Sequence, residues 1–287
     1  MESYTLLKET HCKPIIIPIS RFPDKHEYKD SLDADVKALC DVFKQLNFAD
    51  PDLSLRDCDR ERILSKTNGL LAMSENDDYT TNVDYLLCVI ISHGENNGCF
   101  KDSRGEDISI DELVHIFNAE NCEGLRNKPK IFIVQTDDSS IMERDLSLFG
   151  NGAPTIFRIP IQADVLVYHS NIPTHIEKFD WADKPVEADK PVEEDTPVAR
   201  TAQQWDSSKG SIFIQTFCEV LKCQTDMEIH KLTLKVNSRI KGYIDYIYNR
   251  TMKKRNSELS KTLELPVCTS QLRNHFHFNQ VQKELNI

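Results

Sequence analysis

Two short stretches of this 287-residue chain carry the residue types needed for acyl-group chemistry. One is Ser92-His93-Gly94; the other is Gln135-Thr136-Asp137-Asp138-Ser139, with Asp137 lying 44 residues beyond His93. A histidine supplies a general base, a reactive side chain within its reach supplies the nucleophile, and backbone N–H groups such as that of Gly94 meet the oxyanion. A histidine and glycine after one strand, with a second reactive position after another, is the arrangement required for thiol proteolysis. Yet neither stretch contains a thiol. The nine cysteines all lie elsewhere, at 12, 40, 58, 88, 99, 122, 218, 223 and 268. Taken alone, His93-Gly94 also fits a turn after a strand, and Asp137-Asp138 a solvated loop or helix cap.

The elements that must position these residues are legible from hydrophobic patterning. Ile15-Ile16-Ile17-Pro18-Ile19, Tyr85-Leu86-Leu87-Cys88-Val89-Ile90-Ile91 and Ile131-Phe132-Ile133-Val134 are continuous apolar runs closed by polar residues, as in buried parallel strands. Between and after them come helical patterns. Val36, Leu39, Phe43 and Leu46 mark a helix over 33–48; Asp59 caps one that ends near Met73; Ser109 caps one carrying Ile110, Leu113, Val114, Ile116 and Phe117. A further strand is expected over 163–169, helices over 210–223 and 227–250, and an edge strand over 265–278, marked by Pro266. Strands alternating with helices predict an α/β fold with a parallel sheet covered on both faces. Functional residues then gather beyond the carboxyl ends of the strands, where both His93 and Asp137 fall.

Composition removes other classes. With 35 Lys plus Arg against 46 Asp plus Glu, the net charge is −11, which opposes general nucleic-acid binding. The start Met1-Glu2-Ser3-Tyr4 lacks a basic segment, and the longest early apolar run is too short to span a membrane. An odd cysteine count without a secretory start points to a reduced, cytoplasmic setting. No CxxC pair occurs, and His275 and His277 merely alternate on one strand face, so neither a metal nor a cofactor is expected. A Mg²⁺-dependent phosphoacceptor role for Asp137 would need acids at a neighbouring strand end, and Ser20-Arg21-Phe22 and Ser92-His93-Gly94 do not supply them. The hexad Ala-Asp-Lys-Pro-Val-Glu at 182–187 recurs at 188–193 and decays after it, so 177–204 reads as a low-complexity insert, either a solvated spacer or a segment that docks a partner.

The blocks LLCVIISHG (86–94), SIDELVHIFNAENC (109–122), KPKIFIVQ (128–135) and GSIFIQ (210–215) occur in an order and spacing that resemble the caspases, the Asp-specific cysteine peptidases of cell death. The resemblance implies a three-layer sandwich around a mostly parallel six-stranded sheet. It divides the chain into a short tail (1–13), a large-subunit-like part (14–145), a linker (146–160) and a small-subunit-like part (161–287) holding the insert. The family signature is Gln-Ala-Cys-(Arg/Gln/Gly)-Gly with a histidine about 50 residues upstream. Here Asp137 takes the cysteine's place, His93 keeps the base position and Gly94 the oxyanion position.

A carboxylate is far less nucleophilic toward an amide, its adduct would be a mixed anhydride that collapses back, and its charge opposes the oxyanion. An Asp137–His93 pair would also hold the imidazole protonated. The pocket implied by the resemblance departs as well. Lys29 stands where the first arginine is expected, losing the bidentate fork. Trp205 or Arg200 falls near the second, and Gln135 alone is unchanged. These departures favour release from proteolysis over a new peptide specificity. The implied function is a catalytically inactive homologue that regulates active caspases or their inhibitors, by heterodimerisation or as a decoy, with a homodimer as a further possibility and no nucleic acid or membrane partner. The alternative is an active peptidase using Asp137 or Ser139. If the chain is cut between its halves, Asp145 or Asp138 is the expected site.

Overall fold

A computed structural model describes residues 2–7, 12–23, 29–71, 82–94, 98–137, 162–172, 207–252 and 265–279. Asp138, Ser139, Asp145, the linker, the 177–204 insert, Arg200 and Trp205 lie outside those residues.

The described chain forms a five-stranded sheet in the order β1 (Ile15–Pro18), β2 (Leu86–His93), β5 (Lys130–Asp137), β6 (Val165–Ser170) and β7 (Val267–Ser270). Six strands were expected; five are described. The first four run parallel and β7 pairs antiparallel with β6. A two-stranded ribbon, β3 (Cys99–Lys101) with β4 (Asp107–Ser109), lies apart from it. β2 and β5 are buried along their whole lengths, as their unbroken apolar runs require of strands covered on both faces.

Alternation along the strands divides the core in two. One face carries Ile16, Leu87, Val89, Ile91, Ile131, Ile133, Leu166 and Tyr168 and is covered by α1 (Lys29–Gln45), α4 (Ile212–Cys223) and α5 (Ile229–Met252). The other carries Ile15, Ile17, Leu86, Cys88, Ile90, Phe132 and Val134 under α2 (Arg60–Leu71) and α3 (Ile110–Ile116). This is the three-layer α/β sandwich that the strand–helix alternation predicts.

The caps follow the sequence in part. Asp59 Oδ1 accepts from the Arg62 N–H at 2.9 Å, so it caps α2 as expected. Ser109 occupies the N-cap of α3 without a side-chain bond, whereas Ser211 caps α4 by accepting from the Ile214 N–H. The expected edge strand over 265–278 is shorter: pairing stops at Ser270, and His275 and His277 instead form single bridges to Ser3 and Glu228. The physical reason is that Phe276 and Phe278 turn into the core against Tyr85, which takes the chain off the sheet edge. The N-terminal residues are also more than a tail. Tyr4, Leu6 and Cys12 are buried in the main core.

Candidate active site

Register places the two reactive stretches side by side. β2 and β5 pair from Leu86 with Lys130 through to His93 with Asp137. Directly paired residues of parallel strands project to the same face, so Ile91, His93, Gln135 and Asp137 all point toward α1. There they line an open cleft together with Ser31, Leu32 and Asp35 of α1. His93 is 4% and Asp137 7% exposed, so both sit at the buried floor of the cleft.

His93 Nδ1 lies 3.1 Å from the backbone carbonyl oxygen of Asp137. A carbonyl only accepts, so Nδ1 carries the proton and Nε2 is the basic nitrogen of the neutral ring. Phe22 packs edge-on against the imidazole with centroids 4.4 Å apart. The base position thus has a defined tautomer and a defined ring orientation.

Gln135 is 1% exposed and its amide is oriented by two carbonyls: Nε2 donates to Ile172 at 2.8 Å and to Thr136 at 3.3 Å. Its Oε1 is buried with no hydrogen-bond partner among the described residues. Asp35, 1% exposed, accepts from the Ser211 N–H at 3.0 Å and from Gln215 Nε2 at 2.7 Å, tying α1 to the start of α4. Burial pushes its carboxyl up to about 7, partly offset by the donors from Gln215 and Ser211. Gly210, at φ +103°, permits this approach, because a side chain there would strike the Asp35 carboxylate. Lys29 is the first residue of α1, two positions ahead of Ser31.

Behind the cleft, on the opposite face of the sheet, Thr136 Oγ1 meets His169 Nε2 at 2.7 Å. Burial holds this histidine down to about 4, so it is neutral. Gly94 passes close to this pair: a Cβ on it would lie 2.5 Å from the Cys99 carbonyl oxygen and 3.0 Å from Thr136. Only glycine fits where the chain leaves β2.

No thiol is among the described residues lining the cleft. Cys88 lies on the opposite face, and burial raises its thiol to about 12. No disulfide joins the described cysteines. No group of described side chains suits a metal ion, and no described helix is long and apolar enough to cross a membrane.

The structure therefore brings together His93, Gln135 and Asp137, with Gly94 beside Thr136 and Lys29 opening α1; Trp205 and Ser139 lie outside the described residues. Sequence reading did not assign the tie from Asp35 to Ser211 and Gln215, the Thr136–His169 pair or Phe22. Asp35 left a signal: it falls on the apolar stripe Leu32, Leu39, Val42, Leu46, where a carboxylate must find donors. Thr136 and His169 left none, since nothing local links residues 33 apart.

Comparison with known proteins agrees with this architecture. The caspase-domain model of the C14 peptidases matches residues 12–276. Caspase-1 of Drosophila melanogaster is 30% identical over 154 residues, covering 51% of this chain and 44% of that protein. Caspase-3 of Xenopus laevis is 25% identical over 217 residues, covering 74% and 64%. The chain thus spans about half to two-thirds of the length of these relatives. Among solved structures, caspase-1 from Spodoptera frugiperda superposes with a TM-score of 0.65 at 21% identity, covering 99% of this chain and 96% of the other. The structure titled pro-sf-caspase-1 gives a TM-score of 0.71 at 21% identity, covering 98% and 95%. At that identity the likeness concerns the fold.

Proposed function

This chain belongs to the caspase family, and from that membership we propose that it is a catalytically inactive homologue that regulates active caspases, or the inhibitors that bind them, in apoptosis. The observation that carries this reading is that Asp137, a carboxylate, lies in register with His93, at the position to which the motif resemblance assigns the nucleophilic cysteine. Its weak nucleophilicity, the easy collapse of an anhydride adduct and its charge beside the oxyanion site all oppose peptide cleavage. The cysteines described outside the cleft do not offer a replacement thiol, and Lys29 with Trp205 or Arg200 weakens the arginine clamp that holds a substrate aspartate.

Regulation by pairing is supported by β7, an edge strand whose four residues are all half-buried and whose outer side is unpaired among the described elements. Through that edge the chain would form a heterodimer with an active, cytoplasmic caspase and bias its active arrangement; as a decoy it would absorb an inhibitor that recognises the fold. The test is to titrate the full chain into a purified active caspase, with and without its inhibitor, following hydrolysis of an Asp-containing peptide and the mass of the complex. A saturable change in rate at a fixed stoichiometry is expected. Absence of both a complex and a rate change in either titration refutes the proposal.

A further inference from the structure

We propose that the N-terminal segment 2–7 is a removable pin on the partner-binding edge: through Tyr4 it holds a bulge at Asp164 that fixes the register of β7, and so regulates pairing. The inference rests on the reading above in taking β7 as the edge that pairs.

β7 specifies its own register poorly. Its four residues, Val267-Cys268-Thr269-Ser270, are all half-buried, so no alternation of apolar and polar positions marks one face. A slip of one residue would turn Cys268, which packs against the main core, to the other side of the sheet. Contacts from outside the strand must therefore hold it.

The pairing of β6 with β7 ends in a bulge. The Asp164 N–H donates to the Gln271 carbonyl at 3.0 Å and the Gln271 N–H to the Val165 carbonyl at 2.8 Å, so Asp164 and Val165 together oppose Gln271. Asp164 has φ +64°, the left-handed position that glycine usually fills in such a bulge. From there the ladder runs from Leu166 with Ser270 to His169 with Val267, and its alternation turns the N–H and C=O groups of Cys268 and Ser270 to the outer edge. The bulge decides which backbone groups a partner meets.

Asp164 is held in this conformation by residues distant in sequence. Its buried carboxylate takes the Tyr4 hydroxyl at 2.6 Å and Arg273 Nε at 2.8 Å, and the Arg273 N–H donates to the same hydroxyl. Its carbonyl accepts from the Lys130 N–H at the start of β5. Arg273 also donates to Asn127 Oδ1 at 3.0 Å, and Asn127 is itself left-handed at φ +61°. Non-glycine residues keep such a conformation where their surroundings over-determine it. Tyr4 supplies part of that restraint from a segment held by few bonds: Tyr4 N–H to the His275 carbonyl, His275 N–H to that of Glu2, and Leu7 N–H to Asp84 Oδ2. Docked, the segment sets β7 for pairing; displaced, it leaves the Asp164 carboxylate short of a donor and frees the register to slip.

The experiment compares the full chain with Tyr4→Phe and with Thr67→Val, a control that removes a buried hydroxyl bond to the Ile63 carbonyl in α2, on the opposite face of the sheet. Hydrogen exchange of amides 267–271 is followed in the free chain, and the Kd for a purified active caspase by titration. Tyr4→Phe is expected to quicken exchange at 267–271 about tenfold and to weaken the complex about tenfold, whereas Thr67→Val leaves both unaltered. A merely structural role would leave the Kd unmoved, because both variants stay folded. Unchanged exchange at 267–271 in Tyr4→Phe, an unchanged Kd despite quicker exchange, or equal effects from Thr67→Val each overturns the inference. If the parent chain binds no active caspase, the reading of β7 as a pairing edge falls instead; quickened exchange then upholds the pin, and unchanged exchange overturns it as well.

Discussion

At the scale of single residues, the cleft holds a histidine of defined tautomer and ring orientation in register with a carboxylate. His93 has its tautomer set by the Asp137 carbonyl and its ring held by Phe22, so on the proposed reading only the nucleophile side of the chemistry is altered. Asp137→Cys is accordingly the direct test of how much else is missing. It is expected to restore at most weak hydrolysis of Asp-containing peptides, about a hundredfold or more below an active caspase assayed alongside, because Lys29 and Trp205 remain where the resemblance implies arginines. A rate equal to the active enzyme would show that the nucleophile is the sole defect. Behind the site, His169 is neutral at its bond to Thr136 because burial depresses it to about 4. A depressed value means that its contribution to stability is complete above about 6.5 and is lost as pH falls through about 4. Unfolding in denaturant should show about 2 kcal/mol lost between pH 7 and 4.5, and His169→Gln, which keeps a partner for Thr136, should flatten that limb.

Among the elements, the junction of α1 with α4 has the opposite pH dependence. Asp35 lies in the apolar stripe of α1 and meets the Ser211 N–H and Gln215 beside the tight passage of Gly210. Its carboxyl is raised from 3.8 to about 7, chiefly by burial, so the folded state holds a proton that the unfolded chain has released. That contribution is full below about 3.8 and disappears as pH rises through about 7. Between pH 6 and 8 the parent chain should therefore lose about 1 kcal/mol more than Asp35→Asn, measured by denaturant midpoints at each pH. A parallel decline in both proteins would place the titrating group elsewhere. Because Asp35 also lines the cleft, the same junction couples the packing of α1 on α4 to the shape of the candidate site.

Across the whole molecule, the first residues are tied to the last described segment. The Tyr4 hydroxyl donates to Asp164 Oδ1 at 2.6 Å and accepts from the Arg273 N–H at 3.0 Å, while Arg273 Nε donates to the same carboxylate at 2.8 Å. Tyr4 N–H reaches the His275 carbonyl and His275 N–H reaches that of Glu2. Burial raises the Asp164 carboxyl, but the bonds from Arg273 and Tyr4 outweigh it and leave the group below its usual value, so it is charged where these donors meet it. Removing one donor leaves a buried acceptor short: Tyr4→Phe is expected to cost about 1–2 kcal/mol, and hydrogen exchange should quicken at 273–278 before it does in β2 or β5. Unchanged exchange at 273–278 would mean that the N-terminal segment is not what secures this end of the sheet.

The layers of the fold were legible in the sequence because burial on both faces writes itself as unbroken apolar runs, and helix faces as spacings of three and four. His93, Gly94, Gln135 and Asp137 were legible for a related reason: parallel strands put their carboxyl ends at one edge, so residues just past two such runs converge. The short span of β7, the burial of Tyr4, the Asp35 tie and the Thr136–His169 pair were not, since each joins segments that no local pattern relates. By itself, then, the sequence determined that an α/β sheet sets a histidine and a carboxylate at the ends of neighbouring parallel strands. Only the tertiary structure decided that this carboxylate shares its floor with a second acid and an unpartnered amide oxygen, because charge and hydrogen-bond satisfaction depend on neighbours brought together through space.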